Sequence, residues 1–419
     1  MFKFIHAADI HLDSPMVKLD AYEGAPAAEI RRATRRAFEN LVQTAIEEKA
    51  AFVLIAGDLY DGDWKDYNTG LYLVSRLSRL REAGIRTLIV AGNHDAASTI
   101  TKSLRLPENV YLFPADRAAT VRLDDFGVAV HGRSFATPAV RTDLSLSYPS
   151  ATAGCFNIGL LHTCVTGREG HEPYAPCTLE GLREKGYDYW ALGHVHRREV
   201  LLKDPPVVFA GNLQGRHARE TGPRGCLVVS VDAAGRPEID FRPLDVVRWE
   251  TAVLDAAGIG NGYDLIERFR AVLSTYLEIN KGVLTVLRVT VAGRTAVHAE
   301  IMSDPERWVN EVRAAALDEA EERVWVEAVK LRTQPPADDG PKPEGAVGEL
   351  LALMDELNGD AAALGGLSSE FADLAKKLPI EFREASESFR PGDPEWLRQV
   401  LAEAGPLLVR RLLQGKSGA

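Results

Sequence analysis

Residues 189–199 read YWALGHVHRRE. An apolar run ends in a glycine, and His194 and His196 follow one residue apart, with arginines just beyond. Such a pair can be a polar strand end, or it can offer two imidazole nitrogens to metal ions. Four other apolar runs decide between these, because they end the same way. FKFIHAADIHLD carries Asp9 and His11, and FVLIAGDLYD carries Asp58. RTLIVAGNHD carries Asn93, His94 and Asp95, and NIGLLHT carries His162. Each alone is weak, since Gly-Asp and Gly-Asn are ordinary turn chemistry. Five in one chain, each after an apolar strand, are not turn chemistry alone.

The runs also set the architecture. In the first part strands alternate with helical stretches at residues 30–49 and 71–83, and further short strands follow. That order predicts an α/β protein with βαβ units and a strand-rich half, its sheets flanked by helices. Loops leaving strand ends in such layers converge on one edge, where sites are usually built. The first domain is expected to span residues 1–246. Residues 247–332 read as a small α+β domain, with Asp304-Pro305 opening a helix by N-cap and Pro at N1. Residues 333–345, TQPPADDGPKPEG, read as a linker, and 346–419 as a helical tail. In that tail Val347, Leu350, Leu351, Met354 and Leu357 recur at helical spacing, and Asp393-Pro394 starts a second helix that Gly405-Pro406 ends.

Composition narrows the classes. The 419 residues are 46% hydrophobic and 26% charged, as in an ordinary globular protein with a sizeable core. No apolar run approaches the roughly 20 residues of a membrane span, and the start lacks a signal peptide's apolar centre. Four scattered cysteines form no C-x-x-C pair, so a reducing cytoplasm is expected rather than a disulfide framework or zinc ribbon. A net charge of -11 argues against binding nucleic acid by surface charge alone. Bound divalent cations would reverse the sign locally, so a phosphate-handling cleft remains open.

Imidazole, carboxylate and amide oxygen together suit borderline divalent ions such as manganese, iron or zinc. Seven such groups supply two ions if one carboxylate bridges, and a pair roughly 3.5–4 Å apart can stabilise both the attacking and leaving oxygens of a displacement at phosphorus. The five elements, in this order, resemble the pattern of the calcineurin-like metallophosphoesterases over residues 1–244. That resemblance implies their layered fold of two packed sheets and two bound divalent ions, manganese foremost. It implies that Asp9, His11 and His196 hold one ion, that Asn93, His162 and His194 hold the other, and that Asp58 bridges. It further implies that His94 contacts the phosphate and protonates the leaving oxygen, with Asp95 orienting its ring.

Within the superfamily, the start HAADIHLDSP, the second domain and the helical tail are similar to the SbcD-type DNA repair exonucleases. The stretch VVFAGNLQGRHARETGPRGCLVV resembles the YhaO subgroup more closely. This implies a nuclease for DNA whose capping domain selects the substrate. Its implied partner is an SbcC-like coiled-coil ATPase docked on the tail, and a homodimer is compatible with it. Arg216 and His217 are candidates for contact with substrate phosphate. One departure weakens the exonuclease assignment: Asp61 stands where some nuclease relatives have histidine. Two other readings remain, a phosphodiesterase for a small phosphoester and a scaffold for a partner ATPase. His6, His131, His171 and His298 read as structural. Tyr60, Trp64 and Tyr67 are a loop that either stacks on bases or packs on a helix.

Overall fold

The computed structural model describes residues 1–14, 26–61, 67–97, 104–165, 174–336, 345–360, 364, 366, 393–398, 400–401, 404–405 and 408. The chain divides into two compact units, Met1–Pro336 and Ala337–Ala419. In the first, the short apolar runs become strands buried on both faces, which is why they read as continuous rather than alternating. Phe2–Ala7 (β1), Phe52–Ala56 (β2), Arg86–Val90 (β3) and Val110–Leu112 (β4) lie side by side and parallel. A second sheet holds Ala119–Leu123 (β5), Val128–Gly132 (β6), Phe156–His162 (β7) and Tyr189–Gly193 (β8), then Pro206–Phe209 (β10) with Glu199–Lys203 (β9) at its edge. Within it β6, β7, β8 and β10 are parallel. Gly225–Val231 (β11) returns to pair antiparallel with β1, and Pro237–Pro243 (β12) closes that edge.

The two sheets share one core, in which Phe4, Phe52, Leu54 and Val90 cluster with Val130, Ile158, Leu160 and Tyr189. The helix Ala27–Glu47 (α1) buries Ile30, Ala33, Ala37, Phe38, Leu41, Val42 and Ala45, the single stripe that a 3.6-residue period produces. With Leu73 and Leu77 of Tyr67–Glu82 (α2), this stripe covers the outer face of the first sheet. Strand β3 leads into the single turn Asn93–Ala97 (α3). On the second sheet, Leu179–Glu184 (α4) is capped by Thr178, and its Leu182 carbonyl accepts a 3.0 Å hydrogen bond from the Trp190 indole.

A smaller domain follows the first. Val247–Asp255 (β13), Gly262–Ile279 (α5), Leu284–Arg294 (β14), His298–Ser303 (α6), Pro305–Ala320 (α7) and Val324–Gln334 (β15) form a parallel three-stranded sheet with helices packed on it. Asp304 caps α7 through the Arg307 amide, with Pro305 at its start. Strand β15 runs two residues beyond the expected boundary at 332, so Thr333 and Gln334 belong to the sheet and not to a linker. This domain is docked on the first through a cluster of Ile30, Ala33, Ala218, Val247, Trp249, Leu284 and Val286.

In the second unit Ala346–Gly359 (α8) is helical, and Val347, Leu350, Leu351, Met354 and Leu357 are its more buried positions. Met354 lies against Gly405, and Arg398 Nε donates to the Asn358 carbonyl at 3.4 Å, so part of the apolar face meets the tail's own second segment. The Asp393 carboxylate accepts from the Glu395 amide, as the expected cap requires. Pro406, like Trp64 and His171, lies outside the described residues. No described helix is long and apolar enough to cross a membrane.

Candidate metal centre

Parallel strands carry their outgoing loops to one edge of a sheet. Strands β1, β2 and β3 end beside β7 and β8, and the loops that follow bring the ligand-type residues together. Donor atoms of Asp9, His11 and His196 lie within 4.8 Å of one another, and so do those of Asp58, His162 and His194. Asn93 Oδ1 lies 2.9 Å from His162 Nε2. Backbone strain marks the same places. Asp9, His11, Asp58 and His194 have φ of 49°, 44°, 51° and 100°, a region that costs a non-glycine residue on the order of 1–3 kcal/mol. The glycines of the motifs have a steric reason. A Cβ on Gly92 would stand 2.3 Å from Asp58 Oδ1, and one on Gly57 2.3 Å from His162 Nδ1.

The residues present fit bound cations. The Ala56 carbonyl can only accept, so at 2.9 Å His162 Nδ1 must carry the proton and Nε2 the lone pair. That lone pair faces Asn93 Oδ1 at 2.9 Å and Asp58 Oδ2 at 3.4 Å, so three acceptor atoms converge where a cation would balance them. Burial pushes this imidazole's pKa down to about 3, so it is neutral and able to donate to a metal. On the other side His11 Nε2 and His196 Nε2 approach to 3.1 Å. Asp9 and Asp58 are each 1% exposed. Burial raises the pKa of both carboxyls, and the charge of Asp58 raises that of Asp9 further against the opposing pull of His196. Two carboxylates held together out of water need a cation or protons.

His94 stands apart from this set. Its ring is 40% exposed, and its Nδ1 lies 2.7 Å from Asp61 Oδ1. That contact raises the pKa of the imidazole. The resemblance implies Asp95 as the partner of this ring, but in the structure the partner is Asp61. Asp95 is 3% exposed and turned under the loop, where it accepts from the amides of Tyr60 at 3.0 Å and Gly92 at 2.9 Å. It ties the GNHD turn to the loop after β2, while Asp61 holds the ring. A further set, His11, Asp58 and His94, is also close enough to share an ion, but Asp61 already engages His94 Nδ1.

Comparison with known proteins agrees with this geometry. Residues 2–198 match the calcineurin-like phosphoesterase family, and residues 249–334 match the middle domain of metallophosphoesterase YhaO. The chain is 33% identical over 321 residues to the uncharacterized metallophosphoesterase YhaO of Bacillus subtilis, covering 75% of each. This chain belongs to the calcineurin-like metallophosphoesterases. More distant relatives are named DNA double-strand break repair protein Mre11. The one from Methanopyrus kandleri is 25% identical over 285 residues, 61% of this chain and 60% of that protein. The one from Aeropyrum pernix is 27% identical over 344 residues, 75% of this chain and 78% of that protein.

The rim of the metallophosphoesterase site separates the two candidates read from the sequence, Arg216 and His217, and adds Glu220, which no motif marks. Arg216 is inside it, 3.2 Å from both Asp61 Oδ2 and Ser14 Oγ, with its Nε buried and without a hydrogen-bond partner. His217 is further out, with its side chain 54% exposed and Nε2 3.7 Å from Glu220. Glu220 itself accepts from His196 Nδ1 at 2.6 Å. Tyr60 is buried in the core against the first sheet rather than free to stack on a base. His6 bonds to the Tyr189 hydroxyl, and His131 stacks on Tyr187, so both serve the core. His298 bonds to Thr333 within the second domain.

Proposed function

We propose that this chain is a two-metal phosphodiesterase that cleaves DNA. The observation that carries the hydrolytic reading is two acceptor sets meeting at Asp58, with His94 held beside them by Asp61. Asp9, His11 and His196 would hold one ion, Asn93, His162 and His194 the other, and Asp58 would reach both. Manganese suits this mixture of imidazole, carboxylate and amide oxygen. When bound, the ions supply positive charge for the attacking and phosphoryl oxygens. His94, with Nδ1 engaged by Asp61, has Nε2 left to give a proton to the leaving oxygen. Arg216 supplies a fixed side-chain cation at the rim, close to where a phosphate would enter. DNA as substrate is supported by the relatives named as DNA break repair proteins, one of which aligns over 344 residues, more than the first domain contains.

The test is digestion of labelled duplex and single-stranded DNA, with bis-p-nitrophenyl phosphate alongside. DNA is expected to be cut with manganese present, to survive in EDTA, and to be cut again on adding manganese back. Turnover of the small diester with no cutting of either DNA form would instead favour a small phosphoester substrate, which the acidic net charge of -11 also suits. The tail carries a second proposal, that α8 and the segment after residue 393 dock an SbcC-like ATPase. Their apolar positions are at helical spacing, and short helices need a packing surface. A pull-down with the full chain is expected to recover the ATPase, and one with a chain ending at residue 343 is not. Equal recovery by both would assign the tail to packing within this protein.

A further inference from the structure

The loop of residues 214–222 joins the candidate metal centre to the second domain. Glu220, with a side chain 6% exposed, accepts three hydrogen bonds. Its Oε1 accepts from His196 Nδ1 at 2.6 Å, and its Oε2 from Asn212 Nδ2 at 3.0 Å and the Arg216 amide at 2.7 Å. A carboxylate only accepts, so this contact places the proton on His196 Nδ1 and leaves the lone pair on Nε2, the atom that faces His11. Arg224 holds the backbone of the same corner, donating to the carbonyls of His196 and Thr221 and to Asn212 Oδ1.

The other side of the loop belongs to the second domain. The Trp249 indole donates to the Gly215 carbonyl at 3.0 Å, and the Trp249 carbonyl accepts from the Gly222 amide at 3.1 Å. Gln214 Oε1 accepts from the amides of Val246 and Val247, at 2.9 and 3.2 Å. Trp249 is 5% exposed and packs in the cluster with Ala218, which lies between Arg216 and Glu220 in the chain. Both ends of the loop are thus fastened to the start of β13, and its middle carries the carboxylate that orients His196.

We propose that Glu220 is a positioning residue for His196, and that Trp249 holds the loop in place, so that docking of the second domain tunes one of the two metal sites. The proposal rests on His196 being a metal ligand. Removal of a carboxylate that orients a ligating histidine typically weakens metal binding by about 10–100-fold. It should act on the ion held by Asp9, His11 and His196 and spare the other.

The test uses the full-length chain, freed of metal and titrated calorimetrically with manganese, as wild type and as Glu220→Ala, Glu220→Gln and Trp249→Phe. Wild type is expected to show two binding events. Glu220→Ala should weaken one of them by about 10–100-fold and leave the other within about twofold. Glu220→Gln keeps an acceptor for Nδ1 and should recover most of the loss. Trp249→Phe keeps an aromatic ring but not the bond to Gly215, and should weaken the same event. Nitrogen-15 spectra of His196 in the chelated protein give a readout that needs no metal. The Nδ1–H tautomer should be fixed in wild type and in Glu220→Gln, and lost in Glu220→Ala. An unchanged tautomer, or equal weakening of both events, would overturn the role of Glu220. A Trp249→Phe titration identical to wild type would overturn the link to the second domain. A wild type that takes up no ion would instead refute the metal reading itself, whatever the tautomers show.

Discussion

His94→Gln is expected to lose about 10²–10⁴-fold in turnover on a phosphodiester while still binding two ions, the loss typical of a missing general acid. Most of each candidate metal set is buried, but the His94 side chain is 40% exposed at their edge, and its Nδ1 is engaged by Asp61. What the centre takes from this residue is its backbone amide, which donates to Asp58 Oδ1 at 3.0 Å and survives the substitution. Glutamine fills similar space but cannot deliver a proton near neutral pH. Asp61→Asn separates ring placement from charge. The Asp61 hydrogen bond raises the pKa of His94, and a general acid works only while protonated. Activity should therefore fall as pH rises through that pKa, and Asp61→Asn should move the alkaline limb of kcat to lower pH. Metal content by elemental analysis and kcat against pH check both variants. Loss of bound metal from His94→Gln, or an alkaline limb that moves upward in Asp61→Asn, would reverse the assignment.

The pairing of His94 with Asp61 also marks what sequence could and could not carry. The seven ligand-type residues are legible because each lies at or shortly past the end of an apolar strand, and parallel strands must deliver their ends to one edge. Glycine beside them is legible for the same local reason, since Gly57 and Gly92 leave room for the buried side chains of His162 and Asp58. Asp95 does not orient the ring because neighbours in sequence are not neighbours on a helical turn. Residues i and i+1 point in different directions, and α3 sends Asp95 inward and His94 outward. Asp61 comes from a different loop, and only the packing of β2 beside β3 brings it to the ring. Glu220 is harder still to foresee, because it lies 24 residues after its partner His196 and carries no motif. The docking of the second domain depends on Trp249 and Val247 meeting Ile30 and Ala33 of α1, a pairing that no periodicity encodes.

Asp58→Asn should have the largest effect on the loaded protein and the least on the empty one. Asp58 Oδ2 lies 3.4 Å from His162 Nε2 and 3.9 Å from His11 Nε2, so it reaches toward both donor sets. An amide offers one neutral oxygen there, and both ions and all measurable turnover should be lost. The chelated protein is a different case. Asp9 and Asp58 are buried together with raised pKa values, burial being the first cause for each. The folded state then binds more protons than the unfolded one, so stability without metal must fall as pH rises through those raised values. Asparagine removes one of the two charges and keeps an oxygen to accept from the His94 amide. The chelated variant should therefore melt no lower than chelated wild type at neutral pH, and should depend less on pH. Manganese at about 100 times its dissociation constant should stabilise wild type by about 2.7 kcal/mol per independent site, and should leave Asp58→Asn unmoved. Thermal melts of both proteins, with EDTA and with manganese, read all of this at once. A full manganese shift in Asp58→Asn would remove Asp58 from the centre of the site. A chelated variant far less stable than chelated wild type would mean that the carboxylate serves the fold before it serves the metals.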